Sequence, residues 1–442
     1  MILHEEETFS RERMEKLQLE RLKATANTVY EKVSFYRKQW DDAGISPQDI
    51  TNLDDIKRLP FTTKGDLRGQ YPFGLFAVDK SEVVRIHASS GTSGKPTVVG
   101  YTHNDIKMWG SLVARAISMA GGKQGEVLHN AYGYGLFTGG LGLHYGSEQL
   151  GMATVPVSGG NTDRQISLIQ DFKPSVICGT PSYILTIAER MEQMGIIPSG
   201  NSLKFGIFGA EPWSEEMRGL LEKKLGIKAC DIYGLSEVLG PGVSMECCEA
   251  QRGLHVAEDH FYVEVIDPAT LQPLPDGEEG ELVFTSLTKE ALPIIRYRTG
   301  DIASLSRDRC ACGRTTTRMS RIKGRIDDML IVRGVNVYPS EIEHVLLGSN
   351  DIVPHYQLHV KRTGALDTVE LHIEIKEAIF GELGQNIEHE QIQFLSGEIQ
   401  YRLKNQLLIS IDVKVCPPKT IPRSEGKAVR IVDHRKFSMT NT

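Results

Sequence analysis

Leu17, Leu19, Leu22, Ala26, Val29 and Val33 recur every two to four positions among Lys, Arg and Glu, a spacing that predicts amphipathic helix through the first 60 residues. Beyond them the pattern changes to short apolar runs, each closed by a turn and followed by a helical period. The run 176–181 reads as a buried strand feeding a helix over 183–191, and 204–208 followed by Gly209, Ala210 and Glu211 repeats the arrangement. This alternation predicts an α/β unit whose ligands gather at strand-to-helix loops. Helical spacing stops between about 261 and 305, where 261–266, 280–287 and 301–305 read as a β-rich segment.

A second unit is expected from residue 327. Ser340 and Glu343 carry a capping-box signature ahead of Val345 and Leu346, the stretches 356–360 and 369–375 alternate as strands, and Ile392, Leu395, Ile399 and Leu403 mark a helix. Ile411, Val413 and Val415 supply a further strand. A segment of about 115 residues in α-β-β-α-β order is long enough for its own small core. The boundary is placed at 324–328, which divides the chain into 1–326 and 327–442.

Composition removes several function classes. With 40% apolar and 24% charged residues in 442, the chain reads as globular and large enough for more than one domain. Lys plus Arg number 50 against 57 Asp plus Glu, a net charge of −7 that argues against nucleic-acid or anionic-membrane partners. No run approaches the roughly 18 apolar residues of a membrane span, and the first residues are acidic where a signal or transit peptide is basic. Seven cysteines, an odd number at low density, argue against a disulfide framework and fit a reducing compartment. The expected location is the cytoplasm.

The most informative chemistry lies in Ser89-Ser90-Gly91-Thr92-Ser93-Gly94-Lys95-Pro96. Small residues let backbone N–H groups approach a ligand, hydroxyls donate to phosphate oxygens, and Lys95 adds a charge, so a nucleoside triphosphate is the natural guest. The spacing is GxxGK rather than GxxxxGK[ST], and Pro96 biases Lys95 away from helix, which disfavours a kinase or motor P-loop. An ordinary Ser/Gly surface loop would account for the same residues.

SSGTSGKP, YGYGLFTGGLG at 132–142, FGAEPW at 208–213, DIYGLSEVLGPG at 231–242, RYRTGD at 296–301, GRIDDMLIVRGVNVYP at 324–339 and PRSEGKAVR at 422–430 occur in that order. Together they resemble the phenylacetate–CoA ligase family, within the acyl-adenylate-forming enzymes, from about residue 12 to the end. The resemblance implies a large adenylate-forming domain of βα layers with a β-rich part, and a small mobile α+β lid. It also implies two steps: a carboxylate and Mg·ATP give an acyl-adenylate and diphosphate, then coenzyme A displaces AMP.

Two anions must meet at the α-phosphorus, so charge neutralisation and in-line placement dominate such chemistry. By resemblance, Ser90, Gly91, Thr92, Ser93, Gly94 and Lys95 cradle the phosphates, and Glu237 holds Mg²⁺ with Thr92 as a second ligand. Asp301 takes the ribose hydroxyls. Asp231, Ile232, Tyr233 and Gly234 line the adenine site opposite Gly209, Ala210 and Glu211, and Arg325 contacts the nucleotide at the boundary. Lys427 bridges carboxylate and α-phosphate during adenylation, Asp327 is the hinge, and Gly334 and Val335 meet CoA. A homodimer is implied as well.

The acyl pocket is assigned to Tyr132, Tyr134 and Phe137, for which core packing is an equal explanation. Glycines 133, 135, 139, 140 and 142 would destabilise a plain helix and suggest close backbone approach or an open channel. Phenylacetate or a relative such as indoleacetate is the expected acid. The competing readings are a ligase that loads a carrier protein and a non-catalytic binding protein. Apart from the nucleotide motifs, Cys310 and Cys312 form a C-x-C-G knuckle that Cys247 or Cys248 and His255 would complete as a structural zinc site, with a weak preference for Cys247. Reduced, buried thiols would explain the same residues.

Overall fold

The computed structural model describes the chain except residues 89–95, 327–329, 333–334, 364–365, 408–409, 424–427 and 435–442. Ser10 caps the first long helix, Arg11–Lys32, by accepting from the Arg13 N–H at 3.3 Å. Its buried stripe is Met14, Gln18, Leu22, Ala26 and Val29. Gln18 belongs to that stripe because its amide donates to the carbonyl of Glu258 at 2.9 Å, which satisfies a polar group inside the interface.

The expected strand-helix alternation is present. Five strands, Ala153–Val155, Val127–Asn130, Val176–Gly179, Phe205–Gly209 and Lys228–Tyr233, lie side by side in parallel. Ser244–Glu246, Leu254–Val256, Arg318–Met319 and Leu305–Ser306 extend the sheet antiparallel. Helix Pro181–Gln193 follows its strand after one residue, and its apolar face joins Ile177, Phe208 and Trp213 in one core cluster. The β-rich segment is a separate antiparallel sheet of Phe261–Ile266, Gly280–Ser286, Tyr297–Ala303 and Gly324–Arg325.

The glycine-rich stretch departs from expectation. Gly139–Leu150 is a helix despite its glycines. A Cβ at Gly142 would lie 2.7 Å from the Trp109 ring, and one at Gly146 would lie 2.4 Å from Val113, so these glycines admit the neighbouring helix His103–Met119 against the backbone. Close approach was the correct half of the reading, and tertiary packing offsets the propensity cost.

Residues from Leu330 onward assemble a separate apolar cluster that includes Ile342, Leu358, Leu371, Ile399 and Leu403. Ile352–Thr363 and Leu366–Ile375 form a hairpin flanked in parallel by Asp412–Cys416 and Ile431–Asp433, with helix Glu390–Leu407 packed on it. The last of these strands and the short pair Leu330–Val332 and Val335–Val337 add to the order expected. The capping box is corrected. Helix Pro339–Leu347 is capped at Tyr338, whose N–H donates to Glu341 Oε2 at 3.0 Å, because Pro339 takes the first helical position. Ser340 instead donates to the Lys323 carbonyl, and Glu343 turns to Ser214 and Arg430.

Candidate active site

The carboxyl ends of the parallel strands open on one side of the sheet, and the residues after them face one another there. Gly209 ends its strand beside Ile232, with no room for a side chain: a Cβ would lie 2.1 Å from the Ile232 carbonyl oxygen. Ala210 then adopts φ 69°, an uncommon conformation for a residue with a Cβ, and this turns Glu211 out of the strand. The two Glu211 oxygens each accept a backbone N–H at 2.8 Å, one from Ser182 at the start of its helix and one from Ala428 in the C-terminal segment. Gly234 sits against Gly240, where a Cβ would be 1.7 Å from a carbonyl oxygen.

Asp301 lies on the β-rich sheet, 4% exposed. Tyr233 donates its hydroxyl to Asp301 Oδ2 at 2.7 Å, and Arg325 approaches Oδ1 at 3.0 Å. Strand pairing sets Asp301 opposite Arg325, and Tyr233 stacks on Phe284 at 6.0 Å. Burial and the adjacent Asp301 raise the Tyr233 hydroxyl well above its ordinary value, so it remains a donor. Asp231 shares its carboxylate with Arg321 at 3.3 Å, and its N–H donates to Glu246 at 2.9 Å. Burial raises Glu246 to about 7 against the attraction of Arg218. The Ile232 side chain belongs to the main core.

Glu237 is buried and accepts from Thr97 Oγ1 at 3.1 Å. Thr97 lies just before the strand Val98–Tyr101, whose hairpin partner Arg85–Ala88 lies on the other side of 89–95. The hydroxyl of Ser236, next to Glu237 in the chain, pairs with that of Thr138 at 3.2 Å. A buried carboxylate beside a hydroxyl is a hard-oxygen donor pair, of the kind that suits Mg²⁺. The sequence reading missed Lys289, whose Nζ lies 4.6 Å over the Tyr101 ring. Burial lowers its ammonium to about 8, with Asp105 and Glu237 pulling the other way. A lone Lys before an apolar run was the available signal.

Tyr132 is buried near the backbone of Gly209. Tyr134 accepts from Asn130 at 2.9 Å and meets His144 at 3.2 Å. Phe137, by contrast, is 55% exposed on the loop after these tyrosines. Ser90, Gly91, Thr92, Ser93, Gly94, Lys95, Asp327, Gly334 and Lys427 lie outside the described residues. Val335 pairs with Val332 in the short hairpin.

The C-terminal segment meets the larger unit beside these residues. Besides the Glu211 contact, Ser214 N–H donates to Glu343 at 3.3 Å and His344 reaches Glu216 at 2.7 Å across the two units, while Arg430 pairs with Glu343 at 3.2 Å within the C-terminal one. Elsewhere, Cys247, His255, Cys310 and Cys312 bring their ligand atoms within 4.8 Å of one another, whereas Cys248 turns its sulfur to Glu249.

The Asp301, Tyr233 and Arg325 cluster, the buried Glu237 and the C-terminal segment held at Glu211 gather beyond the strand ends, where α/β enzymes bind their ligands. Residues 5–288 match the AMP-binding enzyme family and 334–435 its C-terminal domain. The phenylacetate-coenzyme A ligase of Thermus thermophilus is 53% identical over 97% of this chain and 98% of its own length. That of Escherichia coli is 52% identical over 98% and 97%. The chain belongs to the phenylacetate–CoA ligase family of AMP-binding enzymes. A 2-hydroxyisobutyryl-CoA ligase crystallised in the postadenylation state, 28% identical, superposes with a TM-score of 0.91 over 98% of this chain and 92% of its own. With CoA in the thioesterification state, that ligase gives 0.72 over 98% and 93%.

Proposed function

We infer that this chain activates phenylacetate, forming phenylacetyl-adenylate and diphosphate from ATP and then phenylacetyl-CoA and AMP. The observation that carries the reading is identity above 50% with phenylacetate–CoA ligases along nearly the whole chain, joined to the Asp301, Tyr233 and Arg325 cluster at the strand ends. Asp301 accepts the ribose hydroxyls as an acceptor-only carboxylate. Gly209, Ala210, Glu211, Asp231, Ile232, Tyr233 and Gly234 frame the base. Tyr132 and Tyr134 face the aryl group, with Phe137 at the mouth.

Glu237, with Thr92, would hold the Mg²⁺ carried by the triphosphate, and that ion would neutralise phosphate charge. The loop from Ser90 to Lys95 grips the β- and γ-phosphates, and Lys427 stabilises the charge that grows between carboxylate and α-phosphorus. The Glu211–Ala428 bond supports this role, since it anchors the residue next to Lys427 to the wall of the site.

The units meet at 326/327 and turn about Asp327, so that one small domain serves both steps. The higher likeness to the postadenylation state supports the closed arrangement as the adenylating one. After rotation, Gly334 and Val335 meet CoA. Acid-dependent AMP release measured over phenylacetate, indoleacetate, acetate and a long-chain fatty acid tests the reading. Phenylacetate is expected to lead, and preferential turnover of the fatty acid would overturn it.

A further inference from the structure

Three thiols and an imidazole converge outside the nucleotide motifs. Cys247 lies at the turn after Ser244–Glu246, His255 on the neighbouring strand Leu254–Val256, and Cys310 and Cys312 in the loop between Leu305–Ser306 and Arg318–Met319. Cys247 and Cys310 sulfurs are 3.6 Å apart, and the Cys312 sulfur is 3.4 Å from His255 Nε2. A disulfide needs sulfurs about 2.05 Å apart. Tetrahedral zinc with Zn–S near 2.3 Å separates its ligand atoms by roughly 3.5–3.8 Å.

The surroundings fit a metal as well. His255 Nδ1 is engaged by the Thr316 hydroxyl at 2.9 Å, which fixes the ring and leaves Nε2 for coordination. Gly313 takes φ 86° directly after Cys312, and its N–H donates to the Cys310 carbonyl at 3.1 Å, so the knuckle turns both sulfurs to one side. Zn²⁺ with three thiolates carries a net charge of about −1, and the buried Arg314 guanidinium faces the Cys312 sulfur.

We propose that Cys247, His255, Cys310 and Cys312 bind one structural Zn²⁺ that holds the 307–316 loop against the sheet and, through that loop, the N-terminal segment. Four protein ligands leave no open position, so the ion does no chemistry on substrate. The link to the N-terminus is direct. Arg314 pairs with Glu7 with both side chains fully buried, Thr315 N–H donates to the Glu7 carbonyl at 3.1 Å, and the Thr315 hydroxyl donates to the Phe9 carbonyl at 2.6 Å.

The test uses the full chain purified without added metal. Elemental analysis should give about one zinc per chain, and exchange for Co²⁺ should give thiolate charge-transfer bands and the intense visible bands of a tetrahedral site. Zinc should be lost in Cys312→Ser and kept in Cys248→Ser. Zinc removal should increase amide hydrogen exchange in peptides covering residues 1–9. A chain that folds without zinc and yields no tetrahedral Co²⁺ spectrum would overturn the proposal, as would equal zinc loss in Cys248→Ser. Should Cys312→Ser not fold, thiol alkylation of the native chain decides: three cysteines becoming reactive only with chelator supports the site, and unchanged reactivity removes it. None of these readouts requires ligase activity, so they stand apart from the proposed function.

Discussion

Glu211→Gln tests how closure positions the adenylating lysine. The Glu211 carboxylate accepts N–H groups from Ser182 and Ala428, each at 2.8 Å. A side-chain amide offers only one oxygen, so one N–H meets an NH₂ group instead, and the charge is gone. The Ser182 bond stays within the large unit at a helix start, whereas the Ala428 bond crosses to the C-terminal unit and, under the proposed rotation, forms only in the closed arrangement. The lost contact is therefore the one to Ala428. A hydrogen bond to a charged acceptor contributes about 1.5–3 kcal/mol, which at 1.36 kcal/mol per decade corresponds to roughly 10- to 150-fold. Rapid-quench single turnovers should show phenylacetyl-adenylate formation slowed by that factor, with conversion of supplied phenylacetyl-adenylate by CoA changed less than about threefold. Equal slowing of both half-reactions, or of neither, would refute the reasoning.

Further consequences can be checked singly. Lys427→Ala should lower adenylate formation at least ~10²-fold, the scale of losing a preorganised charge contact, while sparing the thioester step; equal effects on both would contradict it. Lys289→Met should stabilise the fold at pH 7 by up to about 3 kcal/mol, because burial holds Lys289 near 8 against 10.5 and so penalises its ammonium. The gain should shrink as pH rises from about 8 to 10.5, where the unfolded chain alone stays protonated; a lower denaturation midpoint at pH 7 would contradict the account. Arg314→Ala should cost about 3–5 kcal/mol by stranding the Glu7 carboxylate in the interior, measured by urea unfolding; a loss below 1 kcal/mol would show the pair to be unimportant.

Local spacing carried the strands after 176 and 204, because apolar runs of strand length bounded by turns have few alternatives. Sequence also indicated the four residues of the thiol–imidazole cluster, since C-x-C-G advertises a turn; its weak preference for Cys247 agrees with the tertiary placement, which turns Cys248 away to Glu249. The helix at Gly139–Leu150 was hidden, since its glycines make sense only against Trp109 and Val113. The Ser340 capping box misled because Pro339 had already begun the helix. The local signals at Lys289 and Glu343 did not reveal their partners, because the burial of Lys289 and the pairing of Glu343 with Arg430 come from contacts that only folding supplies.

The most direct test of the central claim is exchange of labelled diphosphate into ATP by the chain with Mg²⁺, in the absence of CoA. Exchange that requires phenylacetate and stops in Lys427→Ala is the predicted result. Exchange that occurs without any acid, or ADP rather than AMP as the nucleotide product on adding CoA, would contradict it.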